Sequence, residues 1–340
     1  MRVVVAPDKF AGTLTALEAA DAVRAGWHDG ASSDDVVIAP MADGGPGFLA
    51  ALATATQAPA QVVPVTGPQG EPVSAQLLVV EDAVRTAYIE VAQACGLQLA
   101  PHPRQPLAAS TAGVVPLLEA ALASGASRIV VGVGGTASTD GGRPVASAFE
   151  GRWPPEVELV VATDVESPLL GPAGAARSFA PQKGASDPEV EALEHRMTVW
   201  AGSGGVDAST PGAGAGGGLA YGLLRIGGRR VSGAGLVAEA VGLPAAVEAS
   251  DLVITGEGRL DFSSLRGKVV AEVARTALAS ARPCVALVGS SAVGRREAAA
   301  AGIDEIHALV DRFGPDRALE RAADSLRTLA RTVAGAWQPA

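Results

Sequence analysis

Asp251-Leu-Val-Ile-Thr-Gly-Glu-Gly-Arg-Leu-Asp-Phe-Ser-Ser-Leu-Arg-Gly-Lys268 is the stretch whose reading decides the fold. Leu252, Val253 and Ile254 make a short apolar run closed by Gly256 and Gly258, which predicts a buried strand ending in a loop. Beyond it Glu257, Arg259, Asp261 and Lys268 crowd together in a chain only 18% charged. After Lys268 the residues Val269, Val270, Val273, Ala274 and Ala277 fall at helical spacing. The unit is strand, polar glycine-rich loop, helix. In open α/β sheets ligands gather outside the carboxyl ends of strands, so charges placed there are site candidates. Alone, the same charges would also suit a solvated loop with surface ion pairs.

Working outward, the same alternation opens the chain. Residues 2–6 read as a first strand, Thr13 and Thr15 are the N-cap candidates for the next helix, and Glu18 completes a capping-box pattern with Thr15. Leu17, Ala20, Val23 and Trp27 give that helix an apolar stripe. A strand at 36–39 ends in Met41-Ala-Asp-Gly-Gly-Pro-Gly47, and a helix is expected from 48 to 53. Near residue 62 the character changes. Residues 62–65 and 73–80, joined by a Gly-Pro turn, read as a hairpin, with a further strand at 86–91. Strands at 129–131 and 158–162 follow, then a loop over 173–184, a helix over 188–200, a glycine-saturated stretch over 206–218 and a helix over 219–226. Parallel α/β character returns after residue 250, with strands at 284–288 and 303–309 and a last helix at 318–334. The expected fold class is α/β in two domains. A Rossmann-like parallel-sheet domain is built from both chain ends (1–62 and 250–340), with a mixed α/β domain (63–249) inserted between.

Size and composition agree with two cores, since 340 residues with 48% hydrophobic content exceed one ordinary domain. Aromatics at 4% leave no stacking platform for single strands, and a net charge of −10 opposes phosphate-backbone binding, so no nucleic acid partner is expected. A small anionic substrate is still compatible with a local basic pocket. No apolar stretch reaches membrane-spanning length, and the opening run stopped by Pro7-Asp8 is too short for a signal segment. Cys95 and Cys284 have no metal-type spacing and suit a reducing compartment, so a cytoplasmic protein without membrane contact is expected, with a homodimer left open.

Acids in glycine- or proline-flanked loops carry the chemistry. Asp8, Asp43, Asp140, Asp164 and the Glu257/Asp261 pair each follow an expected strand. Carboxylates meeting at one cleft would suit Mg²⁺, and Asp140 and Asp164 are the candidate metal ligands. Glycines let backbone N–H groups approach phosphate closely, which makes Asp43, Gly44, Gly45, Gly134, Gly135, Gly214, Gly216 and Gly217 the candidate nucleotide cradle. Among 26 basic residues only Lys9, Lys183 and Lys268 are lysines, and all three lie in glycine- or proline-flanked loops. A compact ammonium serves as a point charge on phosphate, so these lysines, with Asp8, Asp140, Asp164, Glu257, Arg259 and Asp261, are the catalytic candidates. Taken singly, an Asp-Gly pair more often makes a turn. Gly212-Ala-Gly-Ala-Gly-Gly217 has the dinucleotide-binding spacing but no strand before it, and no P-loop is present. The four histidines have no partners at triad or metal spacing.

The blocks Ala6-Pro-Asp-Lys-Phe-Ala-Gly-Thr, Met41-Ala-Asp-Gly-Gly-Pro-Gly, Gly132-Val-Gly-Gly-Thr-Ala-Ser-Thr-Asp-Gly-Gly, Ala162-Thr-Asp-Val-Glu-Ser-Pro-Leu, Pro181-Gln-Lys-Gly-Ala, Pro211-Gly-Ala-Gly-Ala-Gly-Gly-Gly-Leu and Thr255-Gly-Glu-Gly-Arg-Leu-Asp stand in one order along the chain. In them the sequence resembles the type-1 glycerate kinase family over essentially its whole length. The resemblance implies ATP- and Mg²⁺-dependent phosphorylation of D-glycerate, leaning to the 2-position, on a two-domain fold. A kinase of another small hydroxy acid and a non-catalytic sugar-acid-binding relative are the alternatives. The chain departs from the family at Ala11, where a lysine is common and Lys9 is the candidate stand-in, and at Thr139, where asparagine is usual. It is also short over 143–157, where Pro144, Pro154 and Pro155 oppose a helix and a more open site is expected.

Overall fold

The computed structural model describes residues 1–337. Its strands are β1 (Arg2–Pro7), β2 (Asp35–Ile38), β3 (Ala60–Thr66), β4 (Pro72–Val80), β5 (Thr86–Glu90), β6 (Arg128–Gly132), β7 (Glu158–Ala162), β8 (Arg229–Val231), β9 (Leu252–Gly256), β10 (Arg259–Leu260), β11 (Cys284–Val288), β12 (Ser290–Ser291) and β13 (Glu305–Ala308). The chain divides into two compact units. One comprises residues 1–43, 50–56 and 234–340, the other residues 44–49 and 57–233. These limits differ from the expected ones in placing residues 44–49 and 57–62 with the second unit, and residues 234–249 with the first.

The first unit holds an all-parallel sheet in the order β13-β11-β9-β1-β2. Strands β9 and β11 are buried along their whole length, as expected of strands covered on both faces. Val3, Val5, Leu252, Ile254, Val285 and Leu287 pack on Ala20, Val23, Trp27, Leu326, Leu329 and Val333 from helices Ala16–Gly30 and Ala322–Ala336. Those helices meet backbone to backbone, because a side chain at Gly26 would collide with the Arg327 carbonyl. Thr15 and Glu18 form the expected capping box. Leu17 is a correction, since it points outward and the neighbouring stripe position is taken by Ala16 and Ala19. The expected single last helix is two, Pro315–Glu320 and Ala322–Ala336. Counted within this unit, the strand order is second, first, third, fourth, fifth. That is the doubly wound order whose connections reverse direction between the first and third strands, here β1 and β9.

The second unit is a mixed sheet in the order β3-β4-β5-β6-β7-β8, antiparallel through β5 and parallel from there to β8. Leu77, Ile89, Ile129, Val131, Leu159 and Val161 form its core against helices Val114–Ala123 and Leu219–Arg225. A smaller core gathers Leu169, Leu193, Met197 and Tyr221 around helix Asp187–Ala201. The segment expected to resist helix formation contains helix Arg143–Phe149, with Pro144 in the first turn. A proline there gives up only an N–H that has no partner in any helix. The expected loop over 173–184 also carries a short helix, Ala175–Phe179, and a 3₁₀ turn, Pro181–Lys183. Strand β8 and helices Gly233–Ala240 and Leu243–Glu248 had no signal that sequence reading picked out. No helix among the described residues is long and apolar enough to cross a membrane.

Candidate active site

In the first unit the candidate residues lie at the carboxyl edge of the parallel sheet. Pro7 pairs with Gly256 in the β1–β9 register, and the Asp8 N–H donates to the Gly256 carbonyl at 2.8 Å. Asp8 and Glu257 therefore leave neighbouring strands side by side at the point where the winding reverses. The Lys9 ammonium lies 3.6 Å from Asp8 Oδ1 and 3.8 Å from Asp43 Oδ1, which brings the loop after β2 into the same group. Burial pushes the Asp8 carboxyl up to about 6; Lys9 opposes the rise and Asp43 adds to it. Burial likewise pushes Glu257 up to about 7, against a hydrogen bond with Ser264 and the charge of Lys268, with Asp8 and Asp261 adding to the rise. Glu257 Oε1 is buried and has no hydrogen-bond partner among the described residues.

Asp261 differs from these acids. Its Oδ1 accepts from the Ser263 hydroxyl at 2.6 Å and the Ser263 N–H at 2.8 Å, and these bonds hold its carboxyl below the usual range. That is loop closure. Lys268 occupies the N-cap position of helix Val269–Ala279 and donates to Ser263 Oγ at 3.2 Å. A cation is unfavourable at that end of a helix unless an anion accompanies it, so Lys268 and the helix N-terminus together suit a phosphate or carboxylate. Arg259 is exposed and borders a cavity of about 320 Å³ whose walls include Phe10, Thr13, Gly258, Ser290 and Leu319.

In the second unit the loop after β6 is built around Asp140 and Lys183. Asp140 Oδ2 accepts from the Thr111 N–H at 2.7 Å and from its hydroxyl at 3.0 Å, while Oδ1 accepts from the Gly142 N–H at 3.1 Å. Burial pushes its carboxyl up, and these donors with Lys183 pull it back. The Lys183 ammonium is buried, donating to Thr136 Oγ1 at 3.2 Å and to the Ser138 carbonyl. Burial pulls it down to about 8, with Cys95 and Asp140 opposing. Gly217 adopts φ +67 against this loop, and any side chain there would collide with the Ser138 carbonyl. Asp164, beyond β7, accepts from the Gly233 N–H at 3.1 Å.

The expected nucleotide cradle has a packing explanation. A Cβ at Gly44 (φ +88) would lie 2.5 Å from the Ala162 carbonyl, one at Gly134 2.6 Å from Gly45 Cα, one at Gly135 2.7 Å from Pro46, and one at Gly216 2.6 Å from the Val133 carbonyl. Gly214 is hemmed in by the Pro168 carbonyl. Close approach of backbone, or at Gly135 of the Pro46 ring, accounts for glycine at each of these five positions. Two polar residues were missed by sequence reading. Thr111 organises Asp140, and buried Glu90 accepts from the Gly47 and Leu49 N–H groups at 3.2 and 3.1 Å. Glu90 is the charged residue closing β5, a signal that was available; Thr111, in a loop far from residue 140 in the chain, carried none.

No Mg²⁺ cage built from protein ligands alone is present among the described residues. Asp140 uses both oxygens to hold the loop, accepting from Thr111 and Gly142, and among the described residues no group of three or more His, Cys, Asp or Glu is placed to hold an ion. Mg²⁺ commonly keeps its waters and takes one or two carboxylates with substrate phosphates.

Fold and edge charges define a doubly wound α/β protein with a candidate small-anion site. The sequence model described as "Glycerate kinase family" matches residues 3–154 and 151–338. A glycerate kinase of Bacillus subtilis (strain 168) is 36% identical over 371 aligned positions, covering 98% of this chain and 97% of the relative. A glycerate 2-kinase of Escherichia coli (strain K12) is 34% identical, covering 98% and 97%. The crystal structure of a candidate glycerate kinase 2 from Salmonella typhimurium LT2 is similar with a TM-score of 0.79 at 32% identity, over 99% of this chain and 98% of that one. The chain belongs to the glycerate kinase family. The alignment to the Bacillus subtilis protein is longer than this chain, so that relative carries residues this chain lacks, and the family match breaks at 151–154.

Proposed function

We propose that this chain phosphorylates D-glycerate, transferring the γ-phosphoryl group of ATP to the 2-hydroxyl. One observation carries the reading: Asp8, Lys9, Asp43, Glu257 and Lys268 gather at the carboxyl edge of β1, β2 and β9, where a doubly wound sheet places its ligand. Family membership supplies the substrate class, and the name of the Escherichia coli relative favours the 2-position. Lys268 at its helix N-terminus and Lys9 are the cations for phosphate or the glycerate carboxylate, and the cavity beside Arg259 is the seat for the nucleoside. Mg²⁺ held on the nucleotide phosphates would supply neutralisation of their charge. The two buried cysteines, both pushed up to about 12 by burial, match a reducing cytoplasm.

A coupled assay of ADP release over a panel of hydroxy acids tests the reading. D-glycerate should stand out, and phosphorus NMR of the product should show the 2-phosphate. ADP release with no acceptor preference would overturn it.

A further inference from the structure

We propose that Asp8 and Glu257 act as one carboxyl pair, with Glu257 accepting the proton of the attacking hydroxyl and Asp8 as its neighbouring charge; this rests on the kinase reading above. The β1–β9 register sets the two acids next to each other at the reversal point of the sheet, the place in this unit open to a ligand on topological grounds. Glu257 has a bond to Ser264, yet its buried Oε1 has no donor among the described residues. A buried carboxylate oxygen without a donor is costly, and the hydroxyl of an acceptor would supply the missing bond.

The charges facing the pair are Lys9 and Asp43 on the Asp8 side, and Asp261 and Lys268 on the Glu257 side. With acids and cations both present, neither carboxyl is simply neutralised by a salt bridge. Burial and the Asp8 charge bring Glu257 to about 7, where a proton acceptor is both populated and effective at neutral pH. In the step, the acceptor O–H bond breaks and its proton passes to Glu257. The hydroxyl oxygen bonds the γ-phosphorus as the bond to the β–γ bridging oxygen breaks, and ADP leaves with that electron pair.

The test is the pH dependence of kcat and KM for glycerate in the wild type and in Glu257→Gln, Glu257→Asp and Asp8→Asn. Wild-type kcat should rise with pH through about 7. Glu257→Gln should lose that rise and about 100-fold or more in kcat, with KM little changed. Glu257→Asp keeps a carboxylate set back by one methylene, so it should keep the rise at reduced kcat. Asp8→Asn removes a neighbouring negative charge, so its rise should move to lower pH. Circular dichroism and ATP-induced thermal shifts check that each variant folds and binds nucleotide. A folded Glu257→Gln within about threefold of wild-type kcat, or one retaining the rise, would overturn the proposal. So would an unmoved rise in Asp8→Asn. A wild type that releases no ADP with any hydroxy acid removes the kinase reading and this proposal together, whereas an active wild type with an indifferent Glu257→Gln removes the proposal alone.

Discussion

At the scale of single residues, the acids at the sheet edge are held against their chemistry, and stability should record it. The Glu257 carboxyl stands at about 7 in the fold against 4.5 ordinarily. Between those pH values the native state binds more protons than the unfolded chain, so stability falls as pH rises through that window. The loss is on the order of 3 kcal/mol when complete. Glu257→Gln escapes it, so its melting temperature should gain on the wild type as pH rises from about 5 to about 8. Calorimetry at both pH values checks this, and parallel behaviour would mean that Glu257 titrates normally. Lys183 works in the opposite sense, as a buried cation that earns its place by bonding. Lys183→Ala leaves the Ser138 carbonyl and the Thr136 hydroxyl short of a donor. A cost of about 1–3 kcal/mol in denaturant unfolding is expected. The scarcity of lysine did single out these positions. Burial of one and pairing of another could not be seen, because both depend on residues distant in the chain.

At the scale of elements, the loop after β6 hangs on Asp140. Asp140→Asn puts an amide N–H₂ where the Thr111 or Gly142 N–H now donates, so one bond becomes a clash of donors. We expect a loss of about 1–3 kcal/mol and reduced turnover that excess Mg²⁺ does not restore. Full rescue by Mg²⁺ would instead make Asp140 a metal ligand. The short segment between helix Arg143–Phe149 and β7 leads into the amino end of that strand, whereas Asp140 and Asp164 follow carboxyl ends. Trp153 closes this turn, donating to the Val157 carbonyl at 2.9 Å. Residues inserted at this turn in a longer relative would lie at the opposite edge of the second unit's sheet from those acids. KM for glycerate comparable to that of a longer relative is expected, with no ATP hydrolysis in the absence of acceptor. A raised KM with futile hydrolysis would show that the shortening reaches the substrate. The strands were legible because apolar runs such as Val285-Ala-Leu-Val288 stop at glycine. Helix Arg143–Phe149 is hidden in the sequence because Pro144 counts there as a breaker, although in a first turn it breaks nothing. Glycine blocks marked the loops correctly, while their physical reason, close packing, involves partners distant in the chain, as at Gly44 and Ala162.

At the scale of the whole molecule, the parallel sheet joins residues from both sides of a long interruption. Its two-sided burial and the helices over it follow from sequence pattern; its strand order does not, since no local signal says that β9 rather than β2 or β11 lies beside β1 on its inner flank. The contact of helices Ala16–Gly30 and Ala322–Ala336 closes the first unit, and Gly26→Val should force them apart. A fall of several degrees in melting temperature is expected; an unchanged value would mean that the helices slide to make room. The register of Val3 with Leu252 also matters while the protein is being made. A ribosome delivers β1 and β2 early, then must read through the whole second unit before β9 emerges. Until then β1, apolar beyond Arg2, has an open edge, the kind of surface that invites wrong partners. The intervening unit, nearly continuous in sequence, meets no such delay. Nascent chains stalled before Leu252 should therefore be held by chaperones that grip extended apolar segments, and chains released beyond Ala336 should not, so that expression of this protein is governed by how long its first strand must wait.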